Sequence, residues 1–412
     1  SMISLYLFTY VFLLFVFVFI LSQNEFTRFK LSNLFLFAHF TIFFFTPLLF
    51  SQEYFFENTN FFWSSIISLV SIFVAFLVPV INTRFYFVPK IKYISFVFIV
   101  FLIVTMFNLY SGYIGIGEDK IMKSLSGEMT GRGIGSVLKS LVAILSLIYL
   151  SYLFQNKRKQ FILLYLLYLI SVVMAAAHRT PVVIALISPF LLWILHDRKG
   201  YVPKYFIAFS SVGVVFLMYI FNFYRQGMTQ KLMEANITLK SAFMNSFSGL
   251  NTSKYFYELL NSDLKIEYFE KAYYWIITYI PRRLWEDKPI VSFNVRITEE
   301  LFGYTVGDFK GADVATFTVP GEGFYQFGYV GVFLLTFAAV YMSRVLVAFY
   351  LRILYSELLL IGFMLSVLIN FRSAFDSFLH SIIFSFLFTI VLIPFFFYVN
   401  KNVPVQNKYL RN

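Results

Sequence analysis

The chain has no cysteine. Disulfides, thiolate nucleophiles and cysteine-based metal sites are thereby excluded. Charge is scarce as well, at 13% of 412 residues, and histidine occurs four times. No His-Glu-x-x-His pair and no acidic calcium loop occurs in the sequence, so it offers no metal site. A Gly-x-x-x-x-Gly-Lys loop and a dinucleotide fingerprint are missing, as is the Gly-x-Ser-x-Gly nucleophile elbow. No cofactor is expected.

What fills the sequence instead is apolar. Hydrophobic residues make up 59% of it, 57 of them phenylalanine, and the mean hydropathy is +0.76. Such a composition does not belong to a soluble globular domain. A bilayer-crossing helix needs roughly 20 mostly apolar residues. Stretches that meet this need run over residues 2–21, 34–50, 61–81, 93–110, 136–154, 161–177, 181–195, 205–223, 327–342, 358–371 and 378–399. The expectation is an all-α polytopic membrane protein with about eleven transmembrane helices, within a range of ten to twelve. The first stretch lacks a basic start and a small-residue cleavage site, so it reads as a retained span.

Charge orients these spans. Taken alternately, the connections fall into two sets. One holds Arg28, Lys30, Arg84, Lys90, Lys92, Lys157, Arg158, Lys159, Arg198, Lys199, Lys204, Arg344, Arg352, Lys401, Lys408 and Arg411. It carries three acids, Glu25, Asp197 and Glu357. The other set holds 17 basic and 18 acidic residues, so the whole net charge of +12 sits on one side. Positive loops stay cytoplasmic. Topology therefore accounts for the basic balance, and no nucleic-acid partner is implied.

The chain divides accordingly. Residues 1–110 form an N-terminal transmembrane scaffold, and 111–135 a glycine-rich extracytoplasmic loop. Residues 136–223 are central spans and 224–326 a large, partly helical extracytoplasmic loop, expected to be catalytic. Residues 327–400 are C-terminal spans, followed by a cytoplasmic tail, 401–412. Within the large loop, Asn251-Thr252-Ser253 reads as a helix cap. The Tyr/Trp-rich run 273–280 is too short to span and suits the headgroup level. It would hold the following Pro281-Arg282-Arg283 at phosphate depth.

Chemistry-bearing residues gather on the outer side. Arg282, Arg283, Lys288, Arg225 and Arg179 all face it. Guanidinium groups bind phosphate bidentately and stay charged at any relevant pH. Arginines could hold a lipid diphosphate and stabilise charge on it as it leaves, without a metal. The competing reading is a solvated loop surface, to which Lys231, Lys240, Lys254, Lys265 and Lys271 belong. His178 and Arg179 form a short outer turn, and Arg372, Asp376 and His380 recur at one-turn spacing in another. Ionisable groups at such depth point to function, although arginines at span ends also snorkel to headgroups. His39 and His196 read as structural. Glu322, between Gly321 and Gly323 and ahead of Tyr325, has three readings: base for a sugar hydroxyl, sugar ligand beside stacking aromatics, or helix cap.

Four elements together resemble the O-antigen and exopolysaccharide repeat-unit polymerases (Wzy type). They are Arg179-Thr180-Pro181 opening a span, Tyr224-Arg225-Gln226-Gly227 after a span, Ile280-Pro281-Arg282-Arg283-Leu284-Trp285 with Lys288-Pro289, and Gly321-Glu322-Gly323-Phe324-Tyr325-Gln326-Phe327-Gly328-Tyr329-Val330-Gly331. The resemblance covers residues from Phe161 onward. It implies a bacterial inner-membrane, metal-independent glycosyltransferase with its active site facing the periplasm. The implied fold is GT-C-like, shared with O-antigen ligases and the peptidoglycan polymerases of the shape and division system. The implied substrate is an undecaprenyl-diphosphate-linked oligosaccharide, with membrane lipid and a chain-length regulator membrane protein as further partners. Arg282, Arg283 and Glu322 would be catalytic. Arg179, Arg225, Lys288, Tyr325, Arg372, Asp376, His380 and His178 would bind substrate. An Arg-x10-Gly motif of some relatives is met once, by Arg296 and Gly307, and is set aside as chance. The alternatives are an O-antigen ligase and a polysaccharide flippase; the latter would line a midplane path with charge.

Overall fold

A computed structural model describes residues 2–22, 30–49, 53–80, 85–110, 134–175, 179–197, 248–268, 270, 273–277, 285, 289, 292–303 and 315–400. The chain is mostly helical. Helix α1 (Met2–Ser22) is followed by α2 (Leu31–Phe40), a π-helical turn (Thr41–Phe45) and α3 (Thr46–Leu49). A 3-10 turn (Glu53–Glu57) precedes α4 (Thr59–Leu77). Strand β1 (Tyr86–Pro89) leads into α5 (Ile91–Tyr110), α6 (Ile134–Asn156), α7 (Arg158–Ala175) and α8 (Arg179–Asp197). Then come α9 (Ser248–Leu260), α10 (Tyr274–Ile277), α11 (Phe293–Phe302), α12 (Val319–Tyr350), α13 (Glu357–Phe371), α14 (Phe375–Phe396) and β2 (Phe397–Asn400).

Among the described residues, four helical segments are long and apolar enough to cross a membrane: Ile3–Ile20, Leu31–Leu48, Thr59–Leu77 and Val319–Tyr350. Helices also run through the other expected spans except 205–223, which lies outside the described residues. The departure from all-α is the antiparallel pair β1–β2, with Tyr86 opposite Asn400 and Pro89 opposite Phe397. The last expected span therefore stops short, turning to strand at Phe397.

The chain forms two compact units. One comprises Ser1–Val80, Phe243–Val345 and Val367–Ile382; the other comprises Ile81–Ala242, Leu346–Ser366 and Ile383–Asn412. In the first unit the usual soluble pattern is inverted on α1. Phe8, Phe12 and Phe15 are exposed, whereas Tyr6 and Tyr10 are fully buried. The Tyr6 hydroxyl donates to the Phe43 carbonyl at 2.9 Å. The Tyr10 hydroxyl pairs with His39 Nδ1 at 2.6 Å, and His39 Nε2 with Ser68 Oγ at 2.6 Å. An apolar outer face suits lipid, and polar groups turned inward satisfy one another. His39 thus joins three helices, in keeping with its structural reading. On α4, the buried serines 64, 65, 68 and 71 keep the helix surface narrow, and Ser71 Oγ donates to the Phe333 carbonyl at 2.7 Å. In the second unit, Tyr165 donates to the Ala185 carbonyl at 2.5 Å and Gln155 Nε2 to Glu357 Oε1 at 2.6 Å.

Two sequence readings shift here. Helix α9 begins at Ser248, so the expected cap lies inside it. Its hydroxyls serve tertiary contacts instead: Thr252 meets Thr316 at 2.9 Å and Ser253 donates to the Ile42 carbonyl at 2.7 Å. Helix α12 starts at Val319, upstream of the expected span, and is broken at Phe327 (φ −156°, ψ 31°) and Gly328 (φ 59°, ψ −145°). Gly328 occupies a backbone region open to glycine alone. The break folds 319–326 back, so that Gly323 meets the backbone of Gly331. A Cβ on Gly323 would lie 2.5 Å from the Gly331 carbonyl oxygen. Backbone cannot yield as a flexible side chain does. Gly323→Ala and Gly331→Ala should each cost about 1–3 kcal/mol or more, read as a lower unfolding temperature of the purified protein. Wild-type unfolding temperatures in both would contradict the glycine contact.

Candidate active site

The folded-back segment 319–326 is set up by Thr318, a β-branched residue held at φ 68°. Left-handed backbone at such a residue stores strain and clusters at functional sites. Thr318 Oγ1 accepts from Gly321 N at 3.0 Å, capping the helix, and its carbonyl accepts from Glu322 N at 3.1 Å. Around it lies an apolar floor of Leu259, Phe293, Ile297, Phe317, Tyr325 and Ala374.

Glu322 rises from this segment with 1% of its surface exposed. Burying a carboxylate is costly unless donors replace water. Two do. The Trp275 indole Nε1 donates to Oε1 at 2.8 Å, and the backbone N–H of Asp376 donates to Oε2 at 3.1 Å. Asp376 stands in the first turn of α14, where helix N–H groups lack internal partners. Glu322 thus caps a helix, but α14 rather than its own.

Asp376 repeats the arrangement one helix further. Its Oδ2 accepts from Phe293 N at 2.8 Å, the first N–H of α11, and its Oδ1 from the Ser377 backbone and hydroxyl. Ser292, at the N-cap of α11, makes no side-chain cap, so Asp376 supplies it. Two helix N-termini therefore converge on two neighbouring carboxylates.

Helix α11 carries Arg296 one turn in. Its Nη2 donates to Glu267 Oε2 at 3.2 Å, and Nη1 lies 2.8 Å from Oε1, off the line of a hydrogen bond. The guanidinium sits 5.3 Å from the Tyr274 ring centre, within cation–π range. Gln326 Nε2 donates to the same Glu267 Oε2 at 3.2 Å, and the Glu267 N–H to the Tyr325 carbonyl at 3.0 Å. The Tyr325 hydroxyl donates to Glu300 Oε2 at 3.2 Å. Trp275 meets Phe375 edge-on at 5.1 Å.

Of the residues singled out from sequence, Glu322, Tyr325 and Asp376 come together here. Arg372 lies in the turn before α14, which starts only at Phe375, so it does not share a helix face with Asp376. Arg179 opens α8 and His380 lies within α14, their side chains being outside the described residues. Arg282, Arg283, Lys288, Arg225 and His178 lie outside the described residues. Four participants were not anticipated. Trp275 reads in sequence as a headgroup anchor, yet its indole serves Glu322. Arg296 surfaces there only in a motif set aside as chance. Glu267 carries no local signal, and Gln326 stands out only as part of the glycine-rich run 321–331; tertiary folding alone joins them. Set beside known protein families, characterised proteins and solved structures, the chain matches none.

Asp376 lies ahead of the apolar stretch Ser385–Phe396 of its helix. Burial among its neighbours pushes its carboxyl above the usual aspartate range, against the pull of the Phe293 and Ser377 donors and of Arg296. The folded protein therefore keeps a proton that the unfolded chain releases near pH 4. The stability this group contributes is full below that pH and is lost as pH rises through the folded value. The unfolding temperature should fall over this range, and Asp376→Asn should flatten the fall. An unchanged slope in the variant would contradict the assignment.

Proposed function

We propose that the chain is a membrane glycosyltransferase of the repeat-unit polymerase type, acting on the periplasmic face of the bacterial inner membrane. It transfers a growing glycan from undecaprenyl diphosphate to the non-reducing end of a lipid-linked repeat unit. The observation that carries the reading is the buried Glu322 carboxylate, preset by Trp275 and by the α14 N-terminus within a protein of apolar helices. A carboxylate fixed in advance, away from water, is what a general base for a sugar hydroxyl requires.

In this reading the acceptor hydroxyl oxygen attacks the anomeric carbon while its proton passes to Glu322. The bond from that carbon to the phosphate oxygen breaks, and the electron pair leaves with undecaprenyl diphosphate. Arg282 and Arg283, which follow the α10 segment in sequence, hold the diphosphate. Each such cation contributes on the order of 3 kcal/mol to the departing charge. Asp376, its oxygens engaged by backbone donors, holds α11 and the Glu322 carboxylate in register.

Arg282→Ala, Arg283→Ala and Glu322→Gln should each collapse long surface polysaccharide to single repeats on gels, with the protein still present in the membrane. Normal chain lengths in both arginine variants would remove them from the site. A deletion strain with bare core, lacking even one repeat, would shift the assignment to a ligase.

A further inference from the structure

The strand pair β1–β2 takes no part in the site above. Phe87 of β1 donates its N–H to the Arg352 carbonyl at 2.8 Å and accepts from the Leu354 N–H at 2.9 Å, bridging Phe87 to Ile353. The turn after α12 thus runs along the edge of β1 that β2 leaves open. Side chains alternate between the two faces of such a sheet. Phe87, Ile353 and Phe397 share the inner face, where Ile353 and Phe397 are buried and Phe87 meets Phe349 at 5.7 Å. Tyr86, Tyr398 and Asn400 share the outer face, Tyr86 standing opposite Asn400. Arg352 joins them there, its guanidinium carbon 5.3 Å from the centre of the Tyr86 ring.

This arginine is 8% exposed, and among the described residues no group accepts a hydrogen bond from its side chain. A guanidinium cannot shed its charge when buried, and a cation drawn out of water needs acceptors or an anion in return. A ring face offsets only part of that cost. No acidic residue occurs in the sequence over 58–117 or 377–412, the stretches that supply β1 and β2. Of the acids among the basic connections, Asp197 pairs with Arg158 at 2.8 Å, and Glu357 accepts from Gln155 at 2.6 Å. The Arg352 nitrogens are not sealed in, as Arg296 Nε and Nη1 are, so they reach the surface. What they meet there is apolar: Phe85, Phe395, Tyr398 and Val399, around the same sheet, are all exposed. Exposed aromatics at the end of a span belong to the headgroup level of a membrane. In sequence Arg84 precedes β1 and Lys401 follows β2, so the surroundings add positive charge.

A planar two-pronged donor with no acid of its own, set among exposed rings, fits the oxygens of a phosphate held at the membrane surface. We infer that the outer face of this sheet, with Arg352 against Tyr86, binds the phosphate of an anionic phospholipid on the cytoplasmic side, where the charge balance puts these connections. The inference does not rest on the glycosyl-transfer reading. The test is native mass spectrometry of the purified full chain, stripped of lipid in neutral detergent. It is then given phosphatidylglycerol, phosphatidylcholine or inorganic phosphate. At least one phosphatidylglycerol molecule should stay bound where phosphatidylcholine at the same concentration does not, and equimolar phosphate should leave it in place. Arg352→Gln should lower its occupancy at least about tenfold. Lys159→Ala, an exposed cation among the basic connections, should not. Arg352→Lys keeps the charge but loses the fork, and should lower occupancy at least about threefold where Arg352→Gln fails to fold. No retained phosphatidylglycerol, equal retention of phosphatidylcholine or displacement by phosphate would each overturn the site. So would full occupancy in a folded Arg352→Gln or Arg352→Lys protein, or an equal loss in Lys159→Ala.

Discussion

Everything at the site depends on two carboxylates standing in for water at two helix N-termini. Asp376 takes the first N–H of α11, and Glu322 takes the N–H of Asp376 in α14. A helix start leaves N–H groups without internal partners, and a buried carboxylate needs donors. Each requirement meets the other. The outcome is a chain of contacts that fixes three segments far apart in sequence, with the Trp275 indole closing it on the second Glu322 oxygen.

That arrangement needs a backbone able to bring Glu322 around. Gly328 and the Gly323–Gly331 contact supply the reversal, and Thr318 pays for it in left-handed strain. The glycine-rich run 321–331 is therefore a folding device as much as a motif. With it in place, Arg296 is carried by α11 to Glu267 and Tyr274. The same short segment so carries both Glu322, which meets Trp275, and Gln326, which meets Glu267.

Much of this was legible in sequence where the signal is local. Apolar runs located the helices, because burial in lipid requires length and apolarity together. Glu322 stood out by its glycine neighbours, and Asp376 by its depth. Arg296, Glu267 and Trp275 did not, since their importance comes from contacts across tens of residues that no periodicity encodes. The strand pair β1–β2 was missed for the same reason: four residues at each end of a span carry too little pattern. The break in α12 fell at the boundary read from hydropathy, yet helix continues on its far side, since glycine and short polar residues lower hydropathy without ending a helix.

On the proposed reading, Glu322 takes part in the chemical step and does more than hold α14. Single-turnover transfer by the purified protein measures this directly, using an undecaprenyl-diphosphate-linked oligosaccharide donor at saturating enzyme. Gln at position 322 retains an acceptor for the Asp376 N–H but cannot take a proton. Glu322→Gln should lower the transfer rate at least about 10²-fold, with donor binding unchanged. A rate within threefold of the wild type would contradict it.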